Sequence, residues 1–236
     1  MKKILYALAL LAGTICLVVA CSNDEPDTGN GNQDMEEVVP GTNHKILIAY
    51  FSQPLPNNVD AVTSASRVTV NGELYGSVQY VATIINEAMG GDMVRIQTLQ
   101  PYPESYDNLA SQANQERQNN IHPELATNIE NFDNYDVIFI GYPIWWYQMP
   151  MAMYSFFDKY DFAGKTIIPF STHGGSGWSG TLEDIAELEP DATMVNGYSI
   201  SRNNTATSRD GILKWLQGIG TVSYTHLRAH ETSAHL

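Results

Sequence analysis

Residues 45–53 read Lys45-Ile46-Leu47-Ile48-Ala49-Tyr50-Phe51-Ser52-Gln53. A nearly unbroken apolar run of strand length, without polar alternation, is what a parallel strand shows when helices cover both of its faces. Such a strand needs neighbours of its own kind, and the chain supplies them. Met93 to Ile96 is a short second run, Asp136-Val137-Ile138-Phe139-Ile140-Gly141 a clear third, Thr166-Ile167-Ile168-Pro169-Phe170 a fourth, and Thr193 through Ile200 a weaker fifth. Helical spacing fills the intervals. Val78, Val81, Ala82, Ile85, Ala88 and Met89 follow i, i+3, i+4, i+7, and Gly90-Gly91 stops that helix. Further helices are expected from Ser105 to Gln118, Met151 to Tyr160, Leu182 to Leu188 and Arg209 to Leu216. Alternation of strand and helix, with crossovers of one hand, predicts an α/β domain built on a doubly wound parallel sheet.

Ligands of such sheets settle beyond the carboxyl ends of the strands, at the switch point. The loops after Phe51, Gly141 and Phe170 are therefore the places to look for chemistry. The first begins Ser52-Gln53, makes a long excursion, and ends in Tyr75-Gly76-Ser77-Val78 at the start of a helix. Gly before a Ser cap lets peptide N–H groups converge on an anion, and the helix dipole favours phosphate there, although capping alone explains many such pairs. The excursion contains Asn71-Gly72 between β-prone residues, which predicts a hairpin from Arg67 to Tyr75.

The second loop carries Trp145, Trp146 and Tyr147 in succession. Loops lie on the surface, so aromatics clustered there need a partner: a flat conjugated ring that stacks on them, or the side of the next helix. The third reads Ser171-Thr172-His173-Gly174-Gly175-Ser176-Gly177-Trp178. Its glycines permit close backbone approach and several N–H donors toward a carbonyl-bearing ligand, or simply a flexible turn.

Taken in order, ILIAYFS (46–52), YGSVQYVA (75–82), GYPIWW (141–146) and PFSTHGGSG (169–177) resemble the successive elements of the flavodoxin-like family, particularly its bacterial lipoprotein branch, over roughly residues 45–217. The resemblance implies a five-stranded parallel sheet in the order 2-1-3-4-5 and non-covalent flavin mononucleotide (FMN). Carried over by position, Ser52, Gly76 and Ser77 would touch the phosphate. Pro143, Ile144, Trp145 and Trp146 would border the isoalloxazine ring, with backbone groups of Ile144 to Trp146 and of Gly174-Gly175 bonding to it. Ser171, Thr172, His173, Gly174 and Gly175 would meet its polar edge, and His173 is a candidate proton donor. One departure stands out: the family's compact T/S-x-T-G-x-T phosphate loop is split here by the hairpin between Gln53 and Tyr75.

The resemblance further implies electron transfer, or reduction of a small acceptor such as a quinone. The alternative is an exported binding or scaffold protein of the same fold that has lost FMN. A hydrolase on an α/β sheet would need a G-x-S-x-G elbow, and Gly174-Gly175-Ser176-Gly177 is not one.

The chain's ends add where it works. Met1-Lys2-Lys3, an apolar run from Ile4 to Ala20, and then Cys21 form a secretory signal whose Val18-Val19-Ala20-Cys21 is similar to a bacterial lipobox. Residues 1–20 are thus expected to be removed and Cys21 to carry the lipid. Cys16 leaves with the signal, so no disulfide is possible. Residues 21–44 form an acidic tether, with six acids and no base between Ser22 and Gly41, too polar to fold alone. The expected location is exported and lipid-anchored to a bacterial membrane, on the periplasmic or cell-surface side. Removing Lys2 and Lys3 takes the net charge from −14 to −16, with Arg228 and Glu231 cancelling in the tail. That balance argues against nucleic-acid binding and leaves the lipid as the only membrane contact.

The expected domain is 45–220, one core's worth of chain with no second boundary. Residues 221–236 break from its composition, and Val222 to Thr232 resembles the translation of a sequencing adaptor. Its His226, His230 and His235 are accordingly not read as a metal site, and none is expected elsewhere.

Overall fold

In the computed structural model, which describes residues 45–53 and 67–220, the opening apolar run becomes β1 (Ile46–Phe51), the centre of the sheet. The expected signal peptide, Cys21, the tether and the C-terminal tail lie outside the described residues. After β1 come β2 (Arg67–Val70) and β3 (Glu73–Gly76), an antiparallel hairpin, then α1 (Ser77–Met89) and β4 (Asp92–Ile96). The hairpin turns as expected on Asn71 and Gly72, both at positive φ, 52° and 85°. Next are α2 (Tyr106–Gln118), β5 (Val137–Pro143), α3 (Met151–Lys159), β6 (Thr166–His173) and α4 (Thr181–Leu188). The chain continues through β7 (Thr193–Met194), β8 (Tyr198–Ser201) and α5 (Arg209–Gly218).

The main sheet runs β4-β1-β5-β6-β7, with β8 also on β6, and every pairing in it is parallel. Numbered along the sheet's own strands, this is the expected order 2-1-3-4-5, with one correction. The fifth position is shared by two short strands, β7 beside Thr166–Ile167 and β8 beside Phe170–His173. Pro169 explains the break. Carbonyls of Lys165 and Ile167 accept N–H groups of Thr193 and Val195, so alternate residues of β6 bond toward this edge. Pro169 falls on the same side and has no N–H to give. Gly197 fills the gap, so close that a Cβ there would lie 2.4 Å from the Pro169 carbonyl oxygen.

Both faces of the sheet are covered, the physical cause of the unalternating strands. Leu47, Ala49, Phe51, Ile138 and Ile140 pack toward Ala152, Met153 and Phe156 of α3. Ile48, Tyr50, Phe139 and Ile168 pack toward Val78, Val81 and Ile85 of α1 and Ile212 and Leu216 of α5. Among the described residues, no helix is long and apolar enough to cross a membrane.

Two strands run further than the sequence suggests. β5 continues past Gly141 through Tyr142 and Pro143, and β6 through Ser171, Thr172 and His173, in register Gly141↔Phe170, Tyr142↔Ser171 and Pro143↔Thr172. Gly141 is required by its strand neighbour rather than by a loop, since a Cβ there would meet the Phe170 ring at 2.2 Å.

Candidate functional site

Parallel pairing brings the ends of β1, β5 and β6 to one edge of the sheet. At the end of β1, Ser52 is 2% exposed, and among the described residues its Oγ has no hydrogen-bond partner. A buried hydroxyl left unpaired costs about 1–3 kcal/mol, so this one is a place where a ligand atom is wanted. Gly76 stands against it, for a Cβ on residue 76 would lie 2.0 Å from Ser52 Oγ. β3 therefore delivers the glycine directly onto the serine. Gly76 itself, at φ −65° and ψ 138°, is the N-cap of α1, which corrects the expectation that Ser77 caps; Ser77 is the first, fully buried helical residue. The Gly76 N–H donates to Gln79 Oε1 at 3.1 Å.

Sequence reading missed Arg95. It sits on β4 beside Tyr50; its Nε donates to the Ser52 carbonyl at 2.9 Å and its Nη2 to Gln53 Oε1 at 3.3 Å. The guanidinium thus ties down both residues that leave β1. The available signal was an arginine inside Met93 to Ile96, since a cation within a covered strand needs partners. Burial raises the Tyr50 hydroxyl above its ordinary value, and the Arg95 charge partly opposes it.

At the end of β5, Ile144 is buried, and its N–H donates to the Thr172 carbonyl at 2.8 Å. Trp145 is half-buried and meets Phe51 and Tyr102 edge to face, with centroids 5.3 and 5.6 Å away. It belongs to the core beside the loop. Trp146 and Tyr147 do not. A turn closed by Trp145 N–H to the Gln148 carbonyl at 3.0 Å, and by the reciprocal bond at 3.1 Å, puts them at φ 51° and 64°. Two non-glycine residues in this region cost of order 1–3 kcal/mol each. Trp146 Nε1 donates to the Ala110 carbonyl of α2 at 3.0 Å, anchoring the turn. Trp146 is 47% and Tyr147 76% exposed, so the flat faces on offer are those of Trp146 and of Tyr147, a residue outside the set assigned by resemblance.

At the end of β6, Ser171 and Thr172 are buried strand residues, and Ser171 Oγ is bonded to Ser199 Oγ at 2.8 Å. The pairing of β6 with β5 and β8 therefore keeps Ser171 and Thr172 in the sheet, where the sequence placed them on the loop after Phe170. His173 Nδ1 accepts the Gly175 N–H at 3.0 Å, and burial pushes the imidazole below its usual 6.5. At neutral pH the ring is therefore uncharged with its proton on Nε2. With Nδ1 engaged by Gly175, Nε2 is the ring atom through which His173 would donate. The peptide N–H groups of Ile144, Trp145 and Gly175 donate within the protein, to the Thr172 carbonyl, the Gln148 carbonyl and His173 Nδ1. Gly174 is exposed with open space where a Cβ would stand. Among the described residues, no three His, Cys, Asp or Glu side chains gather as a metal site.

A family model described as flavodoxin matches residues 71–219. Among solved structures, a candidate flavoprotein from Bacteroides eggerthii is 30% identical with a TM-score of 0.58, covering 75% of this chain and 98% of that one. A second, from Bacteroides uniformis, is 26% identical with a TM-score of 0.57, covering 74% and 98%. No curated protein matches the chain.

Proposed function

The chain belongs to the flavodoxin family, and from that premise we propose that it binds FMN at the sheet edge and serves as an electron carrier or reductase of a small acceptor such as a quinone. The observation that carries this is the buried Ser52 Oγ, which has no partner among the described residues, facing Gly76 at the N-terminus of α1. A hydroxyl donor, a glycine that keeps the approach open and the positive end of a helix dipole together fit a phosphate. FMN would supply the one- or two-electron chemistry. The chain's own residues bind, orient and shield. Ser52, Gly76 and Ser77 hold the phosphate end, Trp146 and Tyr147 present flat faces for stacking, and Gly174 with the Nε2–H of His173 faces the polar edge.

We also place the protein outside the cytoplasm, tethered through a lipid on Cys21, on the strength of the apolar run ending in Val18-Val19-Ala20-Cys21.

The test of function uses the full chain loaded with FMN and desalted. A retained visible band that bleaches on chemical reduction and returns when a soluble quinone is added supports the reading. Loss of all colour on desalting favours the alternative, a flavodoxin-fold binding or scaffold protein that has lost FMN.

A further inference from the structure

Resting on the FMN reading, we infer that Arg95 is a positioning residue that makes this site select a phosphate-bearing flavin. Three observations carry it. Arg95 reaches across from β4 and holds the two residues that follow β1, through the Ser52 carbonyl at 2.9 Å and Gln53 Oε1 at 3.3 Å. The carbonyl it holds belongs to the same residue whose buried Oγ has no partner among the described residues. That Oγ in turn lies 2.0 Å from where a Cβ on Gly76 would stand, so a small rotation of the Ser52 peptide would move the hydroxyl off the cradle.

Charge points the same way. The chain has 26 acids against 12 Lys and Arg, a field that opposes a dianionic phosphate. A guanidinium next to the cradle offsets that field locally, and its planar fork fixes direction as well as charge. Such an arginine has little to offer an uncharged ribityl chain. The split of the family's compact phosphate loop gives the arrangement a purpose: with the hairpin carrying Gly76 in from one side, the other wall of the cradle is held by a side chain from the neighbouring strand rather than by a short continuous turn.

The experiment compares FMN with riboflavin, which lacks only the phosphate, on the full chain and on its Arg95→Gln and Arg95→Lys variants, reading flavin fluorescence and each variant's thermal melt. Wild type is expected to prefer FMN, and Arg95→Gln to lose about tenfold in FMN affinity while riboflavin changes by less than about twofold, as loss of the charged hold on Ser52 and Gln53 implies. Arg95→Lys keeps the charge but not the two-point hold, and is expected to lose FMN affinity without losing riboflavin. Equal losses for both flavins, or an unchanged FMN affinity, overturn the inference. Inorganic phosphate is the independent arm: it should raise the melting temperature of wild type and not of Arg95→Gln. If wild type binds neither flavin, the FMN reading fails while this arm still decides the role of Arg95, because phosphate that stabilises neither protein, or both equally, overturns it.

Discussion

A Cβ placed on Gly76 would lie 2.0 Å from the Oγ of Ser52, so the cradle at the end of β1 exists only while residue 76 is glycine. The backbone there, at φ −65°, suits any residue, and the constraint is purely one of space. Gly76→Ala should therefore push Ser52 aside, costing about 1–3 kcal/mol in stability by overpacking and more than about tenfold in FMN affinity. Urea unfolding and a flavin titration measure the two effects; an alanine variant that binds FMN like wild type would show that the cradle holds no phosphate.

The two tryptophans should separate. Trp145 packs edge to face on Phe51 and Tyr102, so Trp145→Ala is expected to cost about 3 kcal/mol of stability. Trp146 is half exposed, in a left-handed turn, and tied by one hydrogen bond to Ala110. Trp146→Ala should cost about 1 kcal/mol of stability yet weaken FMN binding by at least about as much. The reverse pattern, with Trp146 stabilising the fold and indifferent to flavin, would place the stacking surface elsewhere.

His173 predicts a pH effect with a definite sign. Burial pushes its folded value below 6.5, so the unfolded chain binds the proton more tightly. The His173 contribution to stability is thus complete above pH 6.5 and declines as the pH falls through the window just below it. Proton NMR of the imidazole should show a midpoint under 6.5, and His173→Gln should remove that part of the pH dependence. A midpoint above 6.5 would mean a carboxylate partner and a charged ring, contrary to the bond from Gly175 N–H.

Cys21→Ser, expressed in a bacterium, should move the protein from the membrane pellet to the soluble fraction, because nothing described in the fold spans a bilayer. A variant that still sediments with membranes would rule out the lipid as the anchor.

Much of this was legible in the sequence. The unalternating Ile46–Phe51 run predicted a strand covered on both faces, and the spacing from Val78 to Met89 predicted α1, because burial on two faces and on one stripe leave different periods. The ends of β5 and β6 were misread for the opposite reason. Tyr142-Pro143 and Ser171-Thr172 have the composition of loops, and only pairing with neighbouring strands keeps them in the sheet. Trp145 and Trp146 are adjacent and chemically identical, yet one joins a cluster with Phe51 and Tyr102 and the other turns outward; no local pattern distinguishes them. Arg95 could be singled out as a cation inside a covered strand, but its partners were not legible, because Ser52 and Gln53 follow another strand more than forty residues earlier in the chain.

The most direct test of the central claim is a fluorescence titration of FMN with the full chain. The account predicts quenching that saturates at one flavin per chain, together with a perturbed visible spectrum, as stacking on Trp146 or Tyr147 requires. FMN that stays fully fluorescent in the presence of excess folded protein would contradict it.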